Sequence, residues 1–427
     1  MWGIFLGLAL LMFLAYKGMS IIWVAPITAL IVAFTGGLEL LPAYTDAYMT
    51  GFVGFTKAWF PVFMLGAIFG KIMDETGAAK AVAHAVVGFI GKKFATLAVV
   101  LACGVLTYGG ISLFVVVFAI YPLALALFRE ANITRRLIPG AIALGSFTFT
   151  MTAIPGSPQI QNLIPTNYFG TTALAAPIMG TVGALIMLVG GMLWLTWREK
   201  QYAAKGVVFI EPEKKVAEGN GDALPNWILS LLPLITVVVA LNGFKQNIIF
   251  SLFYGIVLAI ALFWKRMPNV ITTVNAGAAG SVLAIINTSA AVGFGAVVRA
   301  VPGFATLKDF VLGIEGNPLI SEAVAVNILA GATGSASGGM GIALEALGAN
   351  FVELSKTSGI PLEAFHRIAS MSSGGLDTLP HNGAVLTLLA VTAMTHKDSY
   401  LDIFVVATLI PIVSVIVGIM MAAVNLI

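Results

Sequence analysis

The sequence predicts an all-α polytopic membrane protein of two inverted-topology repeats, each carrying a re-entrant helical hairpin and a proline-broken helix. Three observations carry that prediction: a composition too apolar for water, apolar runs of bilayer length between scarce charges, and breaks that recur in the same order in both halves. Of 427 residues, 59% are hydrophobic and 10% charged, against roughly 45–50% and 25% in soluble domains. A soluble fold is excluded. A net charge of +3 spread over the whole length offers no basic stripe for phosphates, so no nucleic-acid partner is expected. The single cysteine, Cys103, allows neither an internal disulfide nor a paired thiolate metal site.

Near-continuous apolar runs occupy 2–16, 19–38, 52–73, 94–128, 137–153, 172–197, 226–243, 247–264, 274–298, 319–349, 364–376, 383–395 and 401–426, most of them close to the roughly 20 residues a span needs. The first, Met1 to Tyr16, has no basic region before it and no small-residue cleavage site, so it reads as a retained span. Between Arg198 and Asp222 lie ten charges, five of each sign, with Pro212, Gly219 and Gly221; this is a hydrophilic connector. The chain therefore divides into a first membrane repeat (1–197), a cytoplasmic connector (198–225) and a second membrane repeat (226–427).

The halves match. Gly77 and Gly91 are answered by Gly303 and Gly316, at an offset of about 226 residues, and Gly109-Gly110 by Gly338-Gly339. A helix-then-proline break follows in each: Thr152-Ala-Ile-Pro155-Gly-Ser in the first, Asp377-Thr-Leu-Pro380-His-Asn in the second. Such internal symmetry is a mark of secondary transporters. Lys and Arg in short loops stay cytoplasmic, which puts Lys17, the Lys71–Lys93 group, Arg129, Arg135 and Arg136 inside and the N-terminus outside. In the second half Lys265 and Arg266 fall inside. The counterparts of the basic first-half loops then fall outside, and they are poorer in cations: Arg299 and Lys308, Lys356 and Arg367. The second half is thus expected to be upside down relative to the first.

Non-helical backbone survives at membrane depth only where protein or a cavity supplies partners. Four segments fit: Thr107–Ser112 within the 94–128 run, Gly334–Gly341 within 319–349, and the proline breaks Thr150–Asn162 and Ser372–Asn382. Half-helices ending there present free N–H groups and positive dipole ends, suited to an anion. The candidate substrate-binding residues are Thr107, Gly109, Gly110 and Ser112 at the first hairpin and Thr152, Ser157, Gln159 and Asn162 at the first break. The second half contributes Ser335, Ser337, Gly338, Gly339, Thr378 and Asn382. Small residues also serve close helix packing, which is the reading for Gly183, Gly190 and Gly191.

Ionisable residues in apolar segments are few and informative. Asp377 and His381 flank Pro380 and could take and release a coupling proton; the alternative is a cap and a satisfied carbonyl. Glu322 and Asn327, at the start of the second hairpin, are weaker candidates. His366 and His396, beside charges, read as loop residues. His84 reads as interfacial, and Asp74 and Glu75 as helix-end charges. No phosphate loop, paired-His metal motif or Gly-x-Ser-x-Gly turn occurs, so ATP coupling, a cofactor and soluble-enzyme chemistry are not expected.

The string Phe69-Gly-Lys-Ile-Met-Asp-Glu-Thr-Gly77-Ala-Ala resembles the "Gly-Lys-Leu-Met-Glu-x-Ser-Gly-Ala" segment of the gluconate permease family. Tyr121-Pro-Leu-Ala-Leu-Ala-Leu-Phe-Arg-Glu130 resembles the span end after that family's first break. The likeness runs over roughly residues 1–425. It implies a bacterial inner-membrane protein of the wider ion transporter group, with scaffold and transport domains, an elevator-type movement, a homodimer, and import of sugar acids or other small organic anions with protons. Two departures bear on substrate. Ser112-Leu-Phe-Val-Val-Val replaces the family's Phe-Phe-Asp-Val, and Ala153-Ile-Pro155-Gly-Ser-Pro158 replaces Pro-Pro-His-Pro-Gly-Pro. An Asp and a His are lost, which favours a smaller carboxylate such as 3-hydroxybutyrate, or a related hydroxy or keto acid, over gluconate. The coupling ion is H⁺, with Na⁺ open. A passive anion channel and an intramembrane enzyme are the rival readings.

Overall fold

A computed structural model describes residues 2–17, 19–212, 224–267, 269–306, 317–380 and 382–427. His381, Lys308, Gly316 and residues 213–223 of the charged connector lie outside the described residues. Among those described the chain is helical throughout. The first half runs α1 (Trp2–Tyr16), α2 (Ile21–Thr35), α3 (Leu40–Glu75), α4 (Ala78–Ile90), α5 (Ala95–Tyr108), α6 (Leu113–Glu130), α7 (Ile138–Ser146), α8 (Ile160–Phe169) and α9 (Pro177–Ala204). The second runs α10 (Trp227–Gly243), α11 (Ile248–Arg266), α12 (Val270–Ala300), α13 (Pro318–Thr333), α14 (Ala336–Ser358), α15 (Leu362–Ser373), α16 (Gly383–Val391) and α17 (His396–Ala423). Six of these, α3, α6, α9, α11, α12 and α17, are long and apolar enough to cross a bilayer.

Helix starts follow from local chemistry. Asn226, Asn247, Asn269, Asn317, Ser335 and Asn382 each accept hydrogen bonds from the first-turn N–H groups of α10 to α14 and α16, each stabilising its helix by about 1 kcal/mol. Proline is tolerated inside α3 (Pro61), α6 (Pro122) and α8 (Pro165) because neighbouring helices re-satisfy the freed groups.

The order of elements repeats. A long helix (α3, α12), a hairpin (α5–α6, α13–α14), a broken helix (α7–α8, α15–α16) and a second long helix (α9, α17) follow one another in both halves. Packing exchanges the halves: α2 lies on α12 and α11 on α3, while α8 crosses to α14 and α16 to α6. The two self-matched pairs run antiparallel. In α3 and α12, Gly51 meets Ala296, Thr56 Oγ1 lies 2.8 Å from Ser289 Oγ, and Gly277 fits against the Ile68 backbone. In α9 and α17, Ser414 Oγ donates to Gly183 O at 3.0 Å, and Arg198 Nε donates to Asp402 Oδ1 at 2.7 Å.

One sequence match needs correction. The turns of the two hairpins are Gly109-Gly110 and Gly334-Ser335, with positive φ at Gly110 (96°) and Gly334 (57°). Gly338-Gly339 lies within the first turn of α14, where a Cβ on Gly339 would collide with the Ala330 backbone of α13. That pair closes the hairpin and does not turn it.

Candidate functional site

The four breaks meet in pairs, and each pair is clasped by an amide. Gln159 Nε2 donates to Thr107 O at 2.6 Å and to Ile111 O at 3.3 Å, tying the first break to the tip of α5–α6. Tyr108 Oη adds a bond to Pro155 O at 3.1 Å. In the second half Asn382 Nδ2 donates to the hairpin-turn carbonyl Gly334 O at 2.9 Å, while Asn382 Oδ1 caps α16 through Val385 N. Leu376 N donates to Asn327 Oδ1, fixing the second break on α13. These carbonyls lie at helix ends, where a membrane offers no water, and the amides complete the fold locally.

The two breaks also touch. A Cβ on Gly374 would sit 2.9 Å from Thr152 Cγ2, and Ser370 Oγ donates to Thr152 O at 2.7 Å. Thr152, Ser157, Asn162, Asp377, Thr378 and Asn382 are all buried here. Ser157 Oγ donates to Thr150 O at 2.6 Å. Thr378 Oγ1 lies 2.8 Å from Thr408 Oγ1 and bonds Ala407 O in the wide-turn segment Val405–Leu409 of α17. Tyr400 Oη reaches Thr378 O, and His396 Nε2 lies 3.0 Å from Pro380 O.

The remaining candidates spread outward. Gly109 and Gly110 face Leu234, Val237 and Leu252 of α10 and α11, an apolar contact. Ser112 heads α6, half-buried and with no side-chain cap bond. Ser335 caps α14, Gly338 packs against Ser335 and Ala291, and Ser337 Oγ lies 3.4 Å from Thr288 Oγ1 of α12.

Several buried polar atoms at the breaks and hairpins have no hydrogen-bond partner among the described residues: Thr107 Oγ1, Gln161 Oε1, Ser372 Oγ and Asp377 Oδ1, with Ser321 Oγ and both carboxylate oxygens of Glu322 on α13. A buried acceptor left unbonded costs free energy, so atoms of this kind mark places where a ligand, an ion or a proton completes the structure.

Sequence reasoning misplaced two residues. His366 and Arg367 are not in a loop; both are fully buried on α15. Arg367 Nη1 donates to Asn162 Oδ1 at 2.8 Å, Nη2 to Ala175 O at 2.7 Å and Nε to Ala175 O at 3.1 Å, with longer bonds to Thr152 O and Ala173 O. His366 Nδ1 lies 2.6 Å from Thr171 Oγ1 and Nε2 lies 3.3 Å from Asn162 Oδ1. The charges beside them in sequence suggested exposure; the irregular segment before α9 that supplies their partners has no sequence signal of that role.

Two cavities, of about 510 and 600 Å³, share Asn167, Tyr168, Arg299 and Glu345; the first lies between α3, α8, α12 and α14, the second between α8, α14 and the end of α12 with the segment after it. None of the candidate residues lines either.

Helices of bilayer length around polar, clasped breaks in a buried centre define a multi-pass membrane transporter. Residues 1–245 match the model of the GntP family permeases. The chain is 44% identical, over 94% of its own length and 94% of the relative's, to a protein named uncharacterized transporter YxjC of Bacillus subtilis (strain 168). It is 27% identical to an uncharacterized permease of Haemophilus influenzae, over 64% of this chain and 54% of that one. The chain belongs to the GntP permease family. It is a transporter and not an enzyme.

Proposed function

We propose that this transporter is a symporter of the bacterial inner membrane that imports a small organic anion, 3-hydroxybutyrate or a related hydroxy or keto carboxylate, on a proton or Na⁺ gradient. The observation that carries the reading is the matched pair of clasps, Gln159 on one hairpin and Asn382 on the other. They tie each hairpin to the break of its own half, and the two breaks meet at Thr152, Ser370 and Gly374 in a buried polar centre, which suits a site that must face each side in turn. The substrate class rests on the resemblance described above and on the two departures at Ser112 and Ala153-Ile-Pro155.

The halves are inverted copies in this reading. Antiparallel pairing of the matched helices α3 with α12, and α9 with α17, supports an axis in the membrane plane, since a two-fold axis normal to the membrane would leave them parallel. The hairpins and broken helices move together against α1 to α3 and α10 to α12, in a homodimer. Asp377, with one carboxylate oxygen buried and unbonded, carries the coupling proton, with His381 its partner.

The test is uptake by proteoliposomes of the purified full-length protein under an imposed pH or Na⁺ gradient. Accumulation of 3-hydroxybutyrate above its external level is expected under one of the two; equilibration without accumulation indicates a channel, and no uptake of any short hydroxy or keto acid rejects the assignment. Asp377→Asn abolishes gradient-driven accumulation while sparing exchange. Equal loss of both assigns Asp377 to binding or structure.

A further inference from the structure

We propose that Arg367 determines the charge selectivity of this site, acting as a positioning residue that holds a positive potential over the crossing of the breaks without touching the substrate. The inference rests on the organic-anion reading above. Arg367 is fully buried, and all five of its N–H groups have acceptors, each of them neutral: the Asn162 amide oxygen and the backbone oxygens of Thr152, Ala173 and Ala175. None of the ion pairs among the described residues includes it.

Carbonyl dipoles satisfy the donors of a guanidinium, but they do not cancel its charge. A full cation left in a low-dielectric interior is costly unless a counter-charge completes it, and residues of this kind in membrane proteins face functional sites. Arg198, a partly buried cation, behaves differently: it pairs with Asp402. The acceptors of Arg367 include Thr152 and Asn162, at the break that Ser370 and Gly374 join to the second half. Its field therefore falls on the place where both breaks meet, and the missing negative charge is that of a carboxylate arriving with the substrate. At the effective dielectric of such sites, one charge a few ångströms away shifts affinity by roughly tenfold or more.

The full-length protein in detergent is titrated with 3-hydroxybutyrate and with uncharged 3-hydroxybutyramide, comparing wild type, Arg367→Lys and Arg367→Gln by calorimetry. Wild type is expected to prefer the carboxylate. Lys, which keeps the charge but cannot make the forked bonds, retains that preference; Gln loses it by about tenfold or more, its carboxylate affinity falling further than its amide affinity. A Gln variant that keeps the preference, or variants that lose both ligands equally, overturns the proposal and leaves Arg367 a structural staple. Should the Gln variant not fold, the Lys variant decides: loss of the preference there rejects the role of charge. Wild type that binds the amide as well as the acid, or transports no acid at all, rejects the anion reading itself, and with it this inference.

Discussion

At the residue scale, Asp402 shows what burial demands of a charge inside a membrane protein. Its carboxylate is almost wholly buried and accepts from Arg198 Nε at 2.7 Å, Trp194 Nε1 at 3.0 Å and Arg198 Nη2 at 3.4 Å. Arg198 in turn donates to Gln201 and Tyr202 within α9. Replacing a buried pair by apolar groups is often neutral, but removing one partner strands the other. Asp402→Asn is therefore expected to cost roughly 3 kcal/mol, seen as a fall in the melting temperature of the detergent-purified protein, whereas Glu353→Gln, which breaks an exposed pair with Lys356, leaves it unchanged. The contrast with Arg367 also explains what sequence alone could and could not reveal. Asp377 was legible as a polar residue at a helix break because it interrupts an apolar stretch close to a proline. His366 and Arg367 were not, since a His-Arg pair close to Pro361 and Glu363 has the look of a loop, and the oxygens that satisfy them come from 192 to 215 residues away in the chain.

Elements that were legible are those where glycine and proline must break a helix. The hairpin break at Thr107–Ser112 and the breaks around Pro155 and Pro380 stand where the apolar runs pointed, because Gly110 takes a positive φ that ends the helix within the 94–128 run and proline removes a ladder bond. Pairwise glycine matching failed at Gly338-Gly339: a glycine needed for a turn and one needed for close approach look the same in a sequence, and only φ and the facing backbone separate them. The same distinction yields a prediction on α12. A Cβ at Gly277 would stand 2.6 Å from Ile68 Cα and 3.1 Å from its nitrogen, whereas Gly280, three residues on, has nothing within 4 Å. Gly277→Val forces the α3–α12 backbones apart and is expected to cost at least 1–3 kcal/mol, with reduced folded yield and a lower melting temperature. Gly280→Val meets open space and leaves both unchanged; equal effects from the two would mean that α3 and α12 do not pack in this register.

On the scale of the whole molecule, the proposal of a moving unit and a fixed scaffold makes a claim about which contacts can be locked. Two hydroxyl pairs, made by the adjacent residues Thr288 and Ser289 of α12, provide the comparison. Thr56 and Ser289 meet at 2.8 Å between α3 and α12, inside the scaffold. Thr288 and Ser337 meet at 3.4 Å between α12 and the start of α14, across the boundary between scaffold and second hairpin. Side chains whose hydroxyl oxygens meet are the natural pairs to join through cysteines, and the buried Cys103 is changed to alanine in both variants so that only the engineered pair can oxidise. Oxidation of a Thr288→Cys/Ser337→Cys pair is expected to stop uptake in proteoliposomes and reduction to restore it, because α14 can no longer slide along α12. Oxidation of a Thr56→Cys/Ser289→Cys pair, at the same depth and of the same chemistry, leaves uptake intact, since α3 and α12 keep their contact throughout the cycle. If both cross-links stop transport, the α3–α12 contact itself must open during the cycle and the division of the helices proposed here is wrong; if neither does, the second hairpin does not move against α12.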